Sequence, residues 1–148
     1  AGGKAGIALS DPFCVDRQRD EVRRLVKSLD YVIGNEHEWS SLYQTDLSAA
    51  LEQASQDAGL VVCTRSGSDV IILRGDEKAV APVHRVVPVD ATGAGDQFAA
   101  GFLYGLATGQ SLATAGRMGC VAAAEVISHF GARPEADLKE LFRKEGLI

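Results

Sequence analysis

The chain has 148 residues, a formal net charge of −5 and no long basic run, which argues against a nucleic-acid polymer or an anionic membrane as its main partner. Apolar residues make up 46% of it, enough for a hydrophobic core, yet no apolar run approaches the roughly 20 residues that span a bilayer. Its three cysteines are far apart in the sequence and form no C-x-x-C pair, so a reducing cytoplasm is the expected location.

Strands and helices alternate along the first part of the chain. A short buried-strand pattern covers 6–10, and Asp16 is predicted to cap a helix whose apolar residues follow the i, i+3, i+4, i+7 spacing. A second strand is predicted at 31–33 and is followed by a short helix. Asp46 is expected to cap the next helix, which ends at Gly59.

The second part of the chain opens with a continuous apolar run at 60–64, which predicts a strand buried on both faces. Turn residues then predict a β-hairpin near the middle of the chain, and the extended run 83–89 is expected to form a further strand. Three helices are predicted after it, at about 95–107, 111–128 and 135–144. This order indicates one α/β unit with a mostly parallel sheet.

The most informative stretch is Asp90-Ala91-Thr92-Gly93-Ala94-Gly95-Asp96, which lies between the extended run and the next helix. The first N–H groups of a helix have no partner within it, and the helix dipole adds partial positive charge, so such a junction can bind an anion. The small residues Gly93, Ala94 and Gly95 would let a phosphate approach the backbone. A carboxylate there would repel phosphate if it were only structural, so Asp96 is interpreted as a base for a hydroxyl group. An ordinary helix cap remains the alternative.

This stretch, followed by Phe98 and Gly101, closely resembles the C-terminal signature of the ribokinase (PfkB) family, which contains sugar kinases and adenosine kinases. Three further features resemble that family and occur in its order. They are N-x-x-E at 35–38, a Thr that ends a core strand before a glycine-bearing turn at 64–67, and a closing loop at 129–134.

The resemblance implies a ribokinase-like, three-layer α/β/α fold with a mostly parallel sheet. Residues 1–148 would be a single partial domain, the C-terminal half of such a kinase. The segment 9–16 together with 35–38 is most similar to the adenosine-kinase-like branch. The chain lacks an initiating Met, so we expect it to begin inside a longer gene product. The missing half would hold most of the acceptor site, so the fragment alone is expected to be inactive, and an exposed sheet edge would favour self-association.

The implied activity is ATP-dependent phosphoryl transfer to a hydroxyl of a nucleoside or sugar, with ATP and Mg²⁺ as cofactors and K⁺ as a candidate activator. By resemblance, Asp96 is the catalytic base, and the N–H groups around Gly93, Ala94 and Gly95 form the anion hole. Nucleotide and Mg²⁺ contacts are assigned to Asn35, Glu38, Thr64, Gly67, Gly95 and Cys120. A monovalent cation is assigned to Asp90 and to the carbonyls of Thr92, Val126, His129 and Gly131.

Other interpretations remain open from the sequence. Asp90 would also suit a plain turn. Asn35 and Glu38 would suit a helix start, and Thr64 an ordinary strand. The kinase could also be of the ribokinase or fructokinase type, or the chain a nucleotide-binding fragment without activity. A dinucleotide-binding dehydrogenase is disfavoured because the stretch 93–98 ends in Phe where G-x-G-x-x-G ends in Gly. A P-loop NTPase is excluded by the missing G-K-[ST].

The sequence departs from the family's pattern at two places. The turn at 66–69 has one glycine where many members have two, so Asp69 stands where glycine is frequent and its backbone is expected to differ. Glu135 stands where the family often has a small polar residue, which bears on the coordination of a monovalent cation.

Overall fold

The structure is a computed structural model that describes residues 2–148. Its strands are β1 Gly6–Ala8, β2 Tyr31–Asn35, β3 Val61–Arg65, β4 Ser68–Arg74 and β5 Glu77–Ala81. Its helices are α1 Pro12–Arg17, α2 Arg19–Val26, α3 Glu36–Tyr43, α4 Leu47–Asp57, α5 Ala94–Ala107, α6 Leu112–Ile127 and α7 Leu138–Lys144.

The strands form a single sheet in the order β1-β2-β3-β4-β5. β1 pairs with β2, and β2 with β3, in parallel; Ile7 lies opposite Val32, and Ile33 lies opposite Val62. Two-residue turns join β3 to β4 and β4 to β5, and connections this short allow only antiparallel neighbours. The sheet is therefore mixed: the predicted α/β class is confirmed, with two successive hairpins where one was expected.

The described residues form two compact units, one made of the residues up to Ser66 with Val70–Ala79, the other of Gly67–Asp69 with Val80–Ile148. In the first unit Trp39 of α3 is fully buried, and its Nε1 donates a hydrogen bond to the carbonyl of Val62 at 3.1 Å. Burying an apolar side chain of this kind contributes about 1.5–3 kcal/mol. The core of this unit also contains Leu9, Val15, Val26, Val32, Leu42, Ala50, Leu51, Ala54, Val61 and Cys63.

In the second unit, α5 and α6 pack against each other through glycines. A Cβ on Gly101 would lie 2.6 Å from the carbonyl oxygen of Met118, and one on Gly105 would lie 2.8 Å from Ala115. Gly119 is equally close to the ring of Phe98. Glycines on both helices, together with Ala115 of α6, therefore allow the two helix backbones to approach closely.

The predicted start of the first helix is wrong. The N-cap is Asp11, which accepts a hydrogen bond from the N–H of Phe13 at 2.8 Å, and Pro12 suits the first helical position because it lacks an N–H. Asp16 lies inside α1 and binds Arg19 at 2.6 Å and the hydroxyl of Ser41. The apolar pattern assigned to that helix belongs to α2, which starts after Gln18.

The predicted strand at 83–89 is also wrong, since this segment forms no ladder with any strand of the described chain. Its ends are held instead by Asp69, whose carboxylate accepts from Val83 N–H at 3.3 Å, and by Ile127, whose carbonyl accepts from Val89 N–H at 2.7 Å. Pro88 has no N–H to contribute to a ladder. The side chain of Val87 is 84% exposed, so the apolar run does not reflect burial here.

The remaining helix boundaries agree with the predictions within a few residues. The cap of α4 is confirmed, because Asp46 accepts from the N–H of Ala49 at 3.0 Å. The last helix starts at Leu138 rather than 135, since Asp137 caps it by accepting from Lys139 and Glu140. None of the helices formed by residues 2–148 combines the length and apolar content that a bilayer crossing requires.

Candidate functional site

Gly93 is the N-cap of α5 and has a φ of +80°, in the left-handed region that glycine adopts without strain. A Cβ at this position would also lie 2.8 Å from the Cβ of Ala132. Its carbonyl accepts from the N–H of Gln97 at 2.9 Å, which completes the first helical turn. Gly93 is therefore required by the backbone of the turn.

Gly95, two residues later, has neither the positive φ nor the close contact that requires glycine at Gly93. It is exposed, its φ is not positive, and a Cβ there would meet no atom of the described chain within 4 Å. The N–H of Ala94 is taken by the carbonyl of Ala91 at 3.2 Å. The N–H groups of Gly95 and Asp96 lie in the first turn, where the helix supplies no acceptor. The open space over Gly95 thus adjoins backbone donors that can bind an anion.

Asp96 is exposed and is the third residue of α5. The helix has no side-chain cap, and within residues 2–148 the carboxylate of Asp96 is in no hydrogen bond or ion pair. The interpretation of Asp96 as an ordinary cap is therefore wrong. Its negative charge is favoured by the helix dipole, and its oxygens remain available to accept a proton from a bound hydroxyl group.

Asp90 closes the turn on its other side. Its Oδ1 accepts from the hydroxyl of Thr92 at 2.6 Å and from the N–H of Thr92 at 2.9 Å, and its Oδ2 accepts from the N–H of Gly131 at 3.1 Å. These bonds, led by the Thr92 hydroxyl, lower the pKa of Asp90 below its ordinary value. The turn-carboxylate interpretation of Asp90 is thus what the structure shows, and any role with a cation would be added to it.

The segment after α6 packs on this turn. The carbonyl of Ile127 accepts from the N–H of Asp90 at 3.3 Å, and Gln97 Nε2 donates to the carbonyl of Ala132 at 3.4 Å. The five residues assigned to a monovalent cation therefore lie around the end of α6, namely Asp90, Thr92, Val126, His129 and Gly131. In the described chain no three His, Cys, Asp or Glu side chains are placed to hold a metal ion, so carbonyl oxygens would have to supply most ligands.

A carboxylate that the sequence analysis missed holds this segment. Glu125 Oε1 accepts from the N–H groups of Glu135 at 2.9 Å and Ala136 at 2.8 Å, and lies 3.2 Å from Nε2 of His129. The carbonyl of Phe130, followed by Glu125 and Glu135, raises the pKa of His129. The available signal was its position, because Glu125 is the one acidic residue in the sequence of α6.

The N-x-x-E residues form a capping box at the start of α3 in the first unit. Asn35 Oδ1 accepts from the N–H of Glu38 at 2.9 Å, and Glu38 Oε2 accepts from the N–H of Asn35 at 2.7 Å. Burial raises the pKa of Glu38. Asn35 also lies opposite Thr64 at the carboxyl ends of β2 and β3, the sheet edge where ligands of parallel α/β folds bind. The capping role is thus present, and a ligand role would share it.

The turn after Thr64 needs only one glycine. Gly67 has a φ of +71°, whereas Asp69 lies in β4 with no left-handed backbone. The expectation that Asp69 would disturb the turn is therefore wrong, because the position that requires glycine is already occupied by one. A Cβ on Gly67 would meet nothing within 4 Å in the described chain.

Cys120 is buried in α6, and burial raises the pKa of its thiol to about 11, which favours the neutral thiol over the reactive thiolate. Two cavities of about 400 and 220 Å³ are lined by other residues, the first along 16–24 and the second by Ala100, Gly101, Tyr104, Leu138, Lys139 and Phe142. Neither contains a residue assigned to catalysis or nucleotide binding.

The family follows from comparison with known proteins. The sequence model described as "pfkB family carbohydrate kinase" matches residues 2–138. The chain belongs to the pfkB family. Relatives of this pfkB chain include proteins named adenosine kinase, cytidine kinase and ribokinase, which are kinases that phosphorylate hydroxyl groups.

The pfkB chain is similar to three proteins in particular. An uncharacterized sugar kinase of Archaeoglobus fulgidus is 36% identical over 120 residues, which are 80% of this chain and 48% of that protein. The structure of a probable sugar kinase from Rhizobium etli CFN 42 is 43% identical with a TM-score of 0.97, over 99% of this chain and 46% of that one. The adenosine kinase of Sinorhizobium meliloti is 38% identical with a TM-score of 0.94, over 97% and 45%. The chain thus has the ribokinase-like α/β fold and spans about half the length of these relatives.

Proposed function

We propose that the chain supplies the ATP-binding and catalytic-base half of a kinase that transfers a phosphoryl group from ATP to a hydroxyl of a nucleoside or sugar. The observation that carries the proposal is the first turn of α5. There, among residues 2–148, a Cβ on Gly95 would meet no atom within 4 Å and the Asp96 carboxylate makes no bond. Open space over a glycine lets an anion reach the backbone N–H groups, and a carboxylate without a partner beside it can accept a proton from a hydroxyl substrate.

In this mechanism Asp96 accepts the proton of the acceptor hydroxyl as its oxygen attacks the γ-phosphate. General-base help of this kind contributes roughly 10²–10⁴-fold. ATP would supply the transferred group, and ADP leaves as the bond between the γ-phosphorus and the β–γ bridging oxygen breaks; Mg²⁺ would neutralise the phosphate charge. The N–H groups of Gly95 and Asp96 hold the anionic oxygens of the transferring group, and removal of one such donor costs about 2.7–4 kcal/mol.

The Mg²⁺–phosphate side is assigned to Asn35, Glu38 and Thr64, with Gly67 and Cys120 towards the nucleotide. Supporting this, Asn35 and Thr64 are neighbours at the carboxyl edge of the parallel strands, and the capping box leaves Glu38 Oε1 for a further bond. Oxygen donors suit Mg²⁺, and Glu38 would act through water because Mg²⁺ dehydrates reluctantly.

A monovalent cation such as K⁺ is assigned to the end of α6. The last carbonyls of a helix have no partner within it, and Val126 lies in that turn. Asp90 adds negative charge and holds Gly131 close by. Turnover of the full-length kinase is expected to rise when K⁺ replaces Na⁺ at constant ionic strength; equal rates in the two salts would remove this part of the proposal.

Names of the relatives favour a nucleoside or sugar as the small-molecule partner, and adenosine kinases are frequent among them. The three cysteines are free thiols, which supports a reducing, cytoplasmic location. The second candidate function is a nucleotide-binding fragment without activity, which the half-length match favours for the isolated chain.

Calorimetric titration of the chain with MgATP, alongside phosphoryl-transfer assays on adenosine and ribose, tests both candidates. ATP binding without turnover is expected of the isolated chain, because it spans only half of its relatives. Absence of any ATP binding would contradict the assignment of the nucleotide half. Turnover by the chain alone would show that the acceptor site is complete within it.

A further inference from the structure

We infer that Glu125 is a positioning residue that holds the segment 129–136 against the turn 90–96 and thereby sets the geometry of the anion site. The inference rests on the proposed function for its catalytic meaning, but the clamp itself is a property of the described chain. No contact with the substrate is assigned to Glu125, so its effect on ATP binding would be transmitted through this segment.

The first step is the bond pattern of one carboxylate oxygen. Glu125 Oε1 accepts from two consecutive backbone N–H groups, those of Glu135 and Ala136, and lies against His129 Nε2. Two other hydrogen bonds link the segment to residues outside α6. They join Gly131 to Asp90 and Ala132 to Gln97. A carboxylate that accepts several donors is a strong acceptor, about twice as strong as a neutral one. Glu135 and Ala136, which precede the N-cap of α7, are thus tied to the last turn of α6.

The second step is the burial of that side chain. Only 9% of the Glu125 side chain is exposed, and its Oε2 is buried with no hydrogen-bond partner among the described residues. Removing a carboxylate oxygen from water without a donor is unfavourable. Such an arrangement is retained where the other oxygen does something that an apolar residue could not, and here it is the double amide clamp.

The third step connects the clamped segment to the anion site. Gly131 donates to Asp90 Oδ2, and Asp90 Oδ1 in turn holds both donors of Thr92. Ala132 lies against Gly93, where an added Cβ would approach it to 2.8 Å, and its carbonyl accepts from Gln97. The segment therefore contacts the turn on both sides of Gly93. Release of its far end would loosen Asp90 and the cap of α5 together.

The test measures amide hydrogen exchange in the isolated chain, with Glu125→Ala, Glu125→Gln and the control Glu140→Gln. Glu140 is an exposed carboxylate of the same unit that pairs with Arg143. In Glu125→Ala the N–H groups of Gly131 and Thr92, which do not bind Glu125, should exchange at least about tenfold faster. Glu125→Gln keeps an acceptor oxygen and should restore most of the protection.

ATP affinity and urea unfolding are measured on the same proteins. Weaker ATP binding in Glu125→Ala, rescued by Glu125→Gln and out of proportion to any change in stability, is the expected result. Faster exchange confined to Glu135 and Ala136, or an equal effect of Glu140→Gln, would overturn the inference. If Glu125→Ala does not fold, Glu125→Asp takes its place, because the shorter side chain cannot reach the N–H groups of Glu135 and Ala136 from the same backbone position. Exchange at Gly131 and Thr92 in Glu125→Asp equal to that of the unaltered chain would then overturn the inference. Failure of the unaltered chain to bind ATP would contradict the proposed function, while the exchange rates would still decide the clamp.

Discussion

Gly93 and Gly95 stand two positions apart in one turn and meet different constraints. Gly93 has a left-handed backbone and presses against Ala132, whereas Gly95 has an ordinary backbone and empty space where a Cβ would be. Gly93 is therefore required by the structure, whereas Gly95 has no such requirement and is assigned to the proposed anion site. Asp90 and Asp96 divide in the same way, since only Asp90 is used by the turn.

Substitution of the two glycines by alanine separates these roles. Gly93→Ala should lower the free energy of unfolding by about 1 kcal/mol or more, because alanine is strained at positive φ and would also meet Ala132. Gly95→Ala should keep or raise stability by up to about 1 kcal/mol, since alanine is the better helix residue, but should weaken ATP binding. Urea unfolding and calorimetry provide the two measurements. ATP affinity unaffected by Gly95→Ala would contradict the assigned anion site.

Asp96→Asn removes the proposed base and leaves the shape of the turn. In the full-length kinase we expect a fall in kcat of about 10²-fold or more, in keeping with general-base help, while ATP affinity survives. Stability should hardly change, because the carboxylate makes no bond in the described chain. Steady-state kinetics measures kcat and isothermal titration measures ATP affinity. A kcat equal to that of the unaltered enzyme would contradict the catalytic role of Asp96.

At the scale of elements, the proposed anion and cation sites of the second unit lie at the ends of helices. The start of α5 offers backbone donors and the end of α6 offers carbonyls. In the first unit, the start of α3 holds Asn35 and Glu38 in a capping box. Close packing of α5 on α6 through Gly101 and Gly105 fixes the first two ends relative to each other. Replacing these glycines by larger residues would push the two helices apart and so displace the site without altering any residue assigned to it.

The capping box gives a pH-dependent prediction. Burial raises the pKa of Glu38 above its ordinary value of 4.5, so the protonated form is favoured in the folded state. Stability from this group is therefore fully present below about pH 4.5 and is lost as the pH rises through the folded pKa. Glu38→Gln should lose this downward step in stability above pH 4.5. Urea unfolding of both proteins from pH 4 to 8, with Glu52→Gln as an exposed control, measures it; parallel profiles would contradict the prediction.

At the scale of the whole molecule, the chain spans about half of its relatives, and β1 is a terminal strand of the sheet. The N–H of Leu9 binds the carbonyl of Ile33 in β2, so by strand alternation the N–H of Ala8 points away from the sheet. An unpaired edge of this kind can pair with another chain.

Sedimentation of the isolated chain should therefore show a mass that grows with concentration through this edge. Ala8→Pro removes the outward N–H and leaves the bonds to β2, so it should shift the chain towards monomer, whereas Ala8→Val should not. Equal self-association of the two variants would exclude β1 as the contact.

Much of this fold and site could be predicted from local sequence. The turn 90–96 can be predicted from seven adjacent residues. The caps of α3 and α4 follow from residue types three apart, because capping interactions are local. The predictions of a strand at 83–89 and of a cap at Asp16 were wrong for a related reason. An apolar run shows its strand partner only when the neighbouring chain is in place, and two acidic residues near a helix start compete for one cap.

The family, the α/β class and the choice of Asp96 as candidate base can be predicted from the sequence, since each depends on an ordered local motif. Which carboxylates are free depends on the tertiary structure. Asp90 is engaged by Gly131 from 41 residues away, and Glu125 holds Glu135 and Ala136 across the end of α6. Contacts between distant residues set burial and hydrogen bonding, and these separate a structural carboxylate from one available to a substrate.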